Sequence, residues 1–408
     1  MLKRIATSQL RVGMYVQELS GSWISHPFWR KSMALGSEQD LRRIIDAGIK
    51  ACVIDTDKGL DVLDAVVAAP PPPSPPPPAA PLRPSPVGTD PVPLRQEMAR
   101  ARRVCEQGKE RVISLFAEAR MGKAIDAEGC LPLVDEIASS VMRNPGALIS
   151  LARLKTQDEY TYMHSVAVCA LMVALARQLN LPEDDCREAG LAGLLHDLGK
   201  SFVPMDIINK PGRLTEDEFN IVKAHPALGH KALLDGNGVG PVVLDVCLHH
   251  HEKMDGTGYP KGLKSDQISL MARMGAVCDV YDAITSNRPY KAGWDPAESV
   301  KKMAEWTKGH FDEKVFQAFV RSIGIYPTGS VVRLASGRLG VVMEQTEKSL
   351  LSPRVKVFFS TQSGMRMSPE EIDLSAPNCQ DRIVAREDPK KWGLGNVDAL
   401  WLGDQARI

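Results

Sequence analysis

The chain has 408 residues, of which 44% are apolar, 25% charged and 5% aromatic. That suits a globular protein of two or three domains and excludes a single small module, a disordered chain or a fibre. Fifty basic residues balance fifty acidic ones, so no global charge draws the protein to nucleic acid or an anionic membrane, and any anion recognition must be local.

The start, MLKRIATSQLRVGMYV, lacks the apolar core of a signal peptide, and the longest apolar helical stretch, 166–176, is about half of a membrane span. The eight cysteines show no CxxC pair and no regular spacing, which argues against a disulfide scaffold or a thiolate zinc site and fits a reducing compartment. A cytoplasmic protein with no membrane span is the expectation.

In chain order, LRVGMYV and ACVIDT carry the β-branched runs of strands, and SEQDLRRIIDAGI carries a Ser cap, helical spacing and a closing Gly. They predict a small α+β domain over 1–68, in which Trp23, His26 and Phe28 read as core packing or as a ligand site. Residues 69–93 form a stiff linker: 13 prolines fall between Pro70 and Pro93, including PPPPSPPPP. From residue 94 to 325 the pattern is helical throughout. Beyond 326, SVVRL and LGVVME read as a hairpin and RVKVFF as a further strand, a small β appendage over 326–408. The predicted architecture is thus multidomain and mainly α: a small α+β N-terminal domain, a Pro-rich linker, an all-α helical bundle and a C-terminal β-rich appendage.

The chemistry concentrates in the bundle. Seven of the nine histidines lie between His164 and His251. His196 and Asp197 end one helix, with Gly199 placed as its C-terminal cap. His164 sits on the apolar face of another. A third helix opens with the capping box Thr215 and Glu218 and runs to His225. A fourth begins at Pro241 and delivers His250 and His251 before the turn DGTGYP, and a fifth sets Asp279 and Asp282 on one side. Five helices bringing imidazoles and carboxylates into apolar surroundings would bury several ionised groups, and a divalent metal offsets that cost. Imidazole and carboxylate without thiolate suit iron, manganese, nickel or zinc in open sites.

The ordered runs HDLGK, MDIINKPGRLTEDE, KAHPALG, HHHEKMDGTGYPKGL and VCDVYDAITSNRPYK resemble the HD-GYP family of bacterial cyclic di-GMP phosphodiesterases over residues 150–320, and residues 1–68 resemble the uncharacterised domain that often precedes it. The resemblance implies an all-α HD-GYP bundle with two divalent metal ions, Fe or Mn, with Ni and Zn as alternatives. His164, His196 and Asp279 would hold one, His225, His250 and His251 the other, and Asp197 would bridge them. It implies a metal-bridging hydroxide as nucleophile and linear pGpG as product, with further cleavage to GMP left open, and Lys200 acting on the phosphate or leaving group. Arg288, Lys291 and Tyr259 would contact substrate. Where some members carry a Glu that holds a third metal, this chain has Tyr160, so two metals are expected. Cyclic di-GMP is the implied ligand, and GGDEF cyclase-domain proteins are candidate partners; nothing implies nucleic acid, and the oligomeric state is left open. A mixed cyclic GMP-AMP dinucleotide as substrate and a catalytically silent receptor are the competing readings.

Overall fold

The computed structural model describes residues 2–19, 32–46, 51–62, 89–154, 160–286, 293–346 and 348–402. They divide into two compact units, 1–83 and 84–408.

In the first unit, strands β1 (Leu2–Ala6), β2 (Tyr15–Leu19), β3 (Met33–Ala34) and β4 (Ala51–Asp55) pair antiparallel in the order β1-β4-β2-β3. Helix α1 (Glu38–Asp46) starts at Ser37, whose Oγ accepts from Asp40 N at 3.3 Å. Ile44 of that helix packs with Val16, Cys52 and Ile54. The strand expected over 10–16 begins only at Tyr15, because residues 12–13 turn and Gly13 takes φ +94°. Leu10 and Met14 still reach the core from that turn. Trp23, His26, Phe28 and most of the 69–93 segment lie outside the described residues.

The second unit opens with α2 (Leu94–Arg120), followed by α3 (Leu131–Arg143), α4 (Pro145–Arg153), α5 (Tyr160–Gln178) and α6 (Glu183–Leu195). Then come α7 (Met205–Ile208), α8 (Glu216–Lys223), α9 (His225–Leu234), α10 (Pro241–His249), α11 (Leu270–Thr285), α12 (Pro296–Trp306) and α13 (Glu313–Ile323). Helix α5 is the axis: α2, α3, α4, α6, α11 and α13 all pack on it. By length and composition it could cross a membrane, yet it is mostly buried inside this bundle. A buried, doubly hydrogen-bonded pair ties α2 to α3, with Arg143 Nε and Nη2 donating to the Glu97 carboxylate at 2.7 and 2.8 Å.

The C-terminal strands β5 (Val331–Leu334), β6 (Arg338–Glu344), β7 (Arg354–Ser360), β8 (Met365–Asp373) and β9 (Ile383–Arg386) form an antiparallel sheet ordered β8-β7-β6-β5-β9, and α14 (Ala399–Leu402) follows. Alternate residues serve two cores. Leu339, Val341, Met343 and Phe358 join the cluster of the helical bundle, while Val332, Val342, Val355 and Val357 form a cluster of their own. The sheet therefore belongs to the body of the second unit.

Candidate metal centre

Four histidines on four helices turn Nε2 into one interior. His164 lies on the second turn of α5, His196 follows the end of α6, His225 opens α9 and His250 follows α10. In three of them a backbone carbonyl accepts from Nδ1: Gly193 O for His196 at 2.8 Å, Val222 O for His225 at 2.7 Å, and Val246 O and Cys247 O for His250 at 3.0 Å. In His164, Nδ1 meets Asp282 Oδ2 at 2.6 Å. A carbonyl can only accept, so Nδ1 carries the hydrogen and Nε2 of the neutral ring is a bare lone pair.

Asp197, fully buried where α6 passes into a 3-10 turn over Leu198–Phe202, stands among these nitrogens. Its Oδ2 lies 3.3 Å from His164 Nε2 and 3.4 Å from His196 Nε2, and its Oδ1 lies 3.2 Å from His225 Nε2 and 3.8 Å from His250 Nε2. Asp279 closes the ring from α11, with Oδ1 3.0 Å from His164 Nε2 and Oδ2 3.6 Å from His251 Nδ1. Lys200 Nζ donates to Asp197 Oδ2. Ligand atoms converge as two groups, His164 with His196 and Asp279, and Asp197 with His225, His250 and His251.

Gly199 is what lets the two groups meet. The C-terminal cap expected from the sequence does not form, because the backbone runs on into the 3-10 turn. A Cβ at Gly199 would lie 1.8 Å from His225 O and 2.6 Å from Gly229 N, so the glycine serves a backbone-to-backbone approach between this turn and α9. The capping box on α8 is formed as read, with Thr215 N donating to Glu218 Oε2 at 2.7 Å and Glu218 N to Thr215 Oγ1 at 3.2 Å.

The donor set fits a divalent cation. His196 Nε2 and Asp197 Oδ1 are buried without a hydrogen-bond partner, and His225 Nε2 faces His250 Nε2 at 3.3 Å with both Nδ1 positions committed to carbonyls. Lone pairs crowded this way repel one another unless a positive ion lies between them. Burial works against the charge on His164, yet Asp197, Asp279 and Asp282 push its pKa up to about 10. Burial and the neighbouring imidazoles hold His250 well below its usual range, and burial takes His251 down to about 3. Burial opposes ionisation of Asp197 and Asp279 too, but Lys200 and His196 keep the first, and His164 and His251 the second, well below the ordinary carboxylate range. Neutral His250 and His251 beside two ionised carboxylates are what metal binding requires, and at His164 a cation would take the place of the proton that the three carboxylates hold there.

A cavity of about 530 Å³ opens on the centre. Tyr259 borders it, its ring tilted over His251 at a centroid distance of 4.7 Å, and Tyr160 lies parallel to the His164 ring at 5.9 Å. Phe116, Arg120 and Lys210 are among the lining residues that the sequence does not single out. Arg120 reaches in from α2 and anchors Nε on Ser201 O at 3.0 Å; no spacing signal links it to a motif more than seventy residues downstream. Asp282, which the sequence sets on one side of its helix with Asp279, lies behind His164. His249, beside His250 in the sequence, turns Nδ1 to Asp245 Oδ1 at 2.7 Å. Arg288 and Lys291 lie outside the described residues.

Two family models match the chain, a domain of unknown function (DUF3391) over residues 2–130 and an HD domain over 141–315. The first match takes in α2, which packs in the helical unit. A Pseudomonas aeruginosa protein named cyclic di-GMP phosphodiesterase PA4108 is 56% identical over 99% of this chain and 96% of its own length. The chain belongs to the HD-GYP family. Two further relatives match in part. The cyclic di-GMP phosphodiesterase response regulator RpfG of Xanthomonas campestris is 42% identical over 36% of this chain and 39% of itself. The 3′3′-cGAMP-specific phosphodiesterase 3 of Vibrio cholerae is 33% identical over 49% and 42%.

The triplet that names the HD-GYP family is fastened at both ends. Tyr259 N donates to His251 O at 3.2 Å, and the buried Glu252 carboxylate accepts from Lys261 N at 2.7 Å and Leu263 N at 3.0 Å. Gly258 sits where a Cβ would lie 2.4 Å from Lys253 N, so the loop can fold flat against the strip that carries His250 and His251.

Proposed function

We propose that this HD-GYP protein is a metal-dependent phosphodiesterase that opens a 3′–5′ phosphodiester bond of cyclic di-GMP and releases linear pGpG. The carrying observation is Asp197, whose two oxygens face two separate sets of histidine nitrogens. In this reading His164, His196 and Asp279 hold one cation, His225, His250 and His251 the other, and Asp197 joins them. Nitrogen and oxygen donors without thiolate favour iron or manganese. Bound there, the pair of cations supplies water that ionises near neutral pH and screens the charge of the phosphodiester.

The protein's own groups do the rest. Asp282 and four carbonyls fix the tautomers, so that four Nε2 atoms stay free as ligands. Lys200 Nζ, partly exposed to the cavity and paired with Asp197, is placed to steady a phosphoryl oxygen. Phe116, Tyr160 and Tyr259 give flat apolar surface for a purine, and Arg120 adds a cation at the wall. Arg288 and Lys291 keep their proposed place on the substrate through the motif NRPYK. Tyr160 in place of a Glu favours two cations and a reaction that stops at pGpG. GGDEF-domain proteins are proposed partners, and a cytoplasmic location is proposed with them.

The full-length relative favours cyclic di-GMP; the Vibrio cholerae relative, which matches half of this chain, keeps the mixed dinucleotide as the second reading. The test is to reconstitute the protein anaerobically with Fe or Mn, add each dinucleotide, and follow products by mass over time. Accumulating pGpG supports the proposal. Preferential cleavage of the mixed dinucleotide supports the second reading, and binding of both without cleavage means a receptor.

A further inference from the structure

A second cavity, about 590 Å³, lies between the α3–α4 turn, the ends of α11 and α13, and the end of β6; it shares no lining residue with the active-site cavity. Its volume is that of a small-molecule site. Its walls carry three guanidinium groups, from Arg143, Arg153 and Arg321, and two carboxylates, from Asp282 and Glu344.

The carboxylates are already engaged. Glu344 accepts from Leu94 N at 3.2 Å and from Asn144 Nδ2, and pairs with Arg354 Nη1 at 3.3 Å. Asp282 serves His164. Arg153 and Arg321 are left without a carboxylate in contact among the described residues. Arg143 spends Nε and Nη2 on Glu97, and its Nη1 is buried with no partner. Arg153 is nine-tenths buried, has a 3.4 Å contact to Thr328 O, and has no carboxylate within 4.0 Å among the described residues. Arg321 is exposed at the wall and also has no carboxylate that near among the described residues. Asp295 acts on Arg153 only from beyond contact distance, so the buried guanidinium is incompletely compensated, and its planar fork matches the oxygens of a phosphate. Beside these charges stand the apolar side chains of Ile149 and Leu171.

We propose that this cavity is a binding site for an organic phosphomonoester of mononucleotide size, its phosphate held by Arg153 and Arg321 and its flat body lying against Ile149 and Leu171. Asp282 is part of the wall, so an occupant touches the residue that holds His164 Nδ1.

The test uses the metal-loaded full-length protein in equilibrium dialysis against labelled GMP, with inorganic phosphate as competitor. Arg321→Met removes an exposed charge and Thr346→Trp fills the cavity from the loop after β6, so both leave the bundle core intact. The expected result is a GMP-binding component that weakens at least ~10-fold in both variants, as for loss of a charge-assisted contact, with metal content unchanged. Equal GMP binding in the wild type and both variants overturns the site. Inorganic phosphate displacing GMP at matching concentration overturns the organic part of the proposal.

Discussion

Asp282 Oδ2 stands 2.6 Å from His164 Nδ1, the ring nitrogen that points away from the metal centre. Three other histidines of the centre use a carbonyl for the same purpose, and His164 alone of these four has a carboxylate behind it. Asp282→Ala should therefore lower affinity for the first cation by about 10- to 100-fold, the usual cost of losing a supporting acceptor. A chelator competition titration measures it, and unchanged affinity would remove Asp282 from the support of the site.

Asp197 is fully buried, and its two oxygens face separate sets of Nε2 atoms, Oδ2 those of His164 and His196, Oδ1 those of His225 and His250. Asp197→Ala should leave less than one tightly bound metal per chain by elemental analysis and abolish turnover. Retained metal with retained activity would show that the joining group is a different residue.

Gly199 predicts a defect in both stability and loading. Gly199→Ala drives a methyl group into His225 O and should cost about 1–3 kcal/mol by overpacking, seen as a lower denaturation midpoint. Because the displaced atom belongs to His225, the second cation should be lost ahead of the first. Wild-type stability with full loading would contradict the close approach.

Glu97 and Arg143 are a buried pair between α2 and α3. Glu97→Ala strands the guanidinium and should cost roughly 3–5 kcal/mol in denaturant unfolding. A loss below about 1 kcal/mol, the range of an exposed pair, would mean that the pair is solvated in solution.

The Tyr160 ring lies parallel to the His164 ring and offers no carboxylate at the position from which the family resemblance would draw a third-metal ligand. Anaerobically purified protein should hold close to two metals per chain, and three would overturn that argument.

The proposed ligands are legible because each histidine or aspartate stands at or near a helix end or on an apolar face, where its type conflicts with its surroundings. What joins them is not. Gly199 looked like a helix cap because glycine after a helix usually is one; its reason is a neighbouring backbone twenty-six residues away in sequence. Arg120 carried no signal, since an exposed arginine near a helix end resembles any solvated charge. Strand β8, MRMSPEEID, was missed because it is an edge strand exposed along most of its length and lacks the apolar alternation that marks a half-buried strand. The run LGVVME does form the hairpin strand that its sequence predicts; its near-continuous burial comes from a hydrophobic layer on each face, which a strand on an isolated appendage would not have.

Those two layers decide where the chain can be cut. A fragment ending near residue 325, the boundary suggested by the change of texture, or near 315, where the HD match stops, would lose Leu339, Val341, Met343 and Phe358 from the bundle's own cluster and bare a greasy socket to water. Such a truncated enzyme would precipitate with every ligand of its metal centre still encoded, and its silence in an assay would report the missing lid of the core rather than any fault in the chemistry.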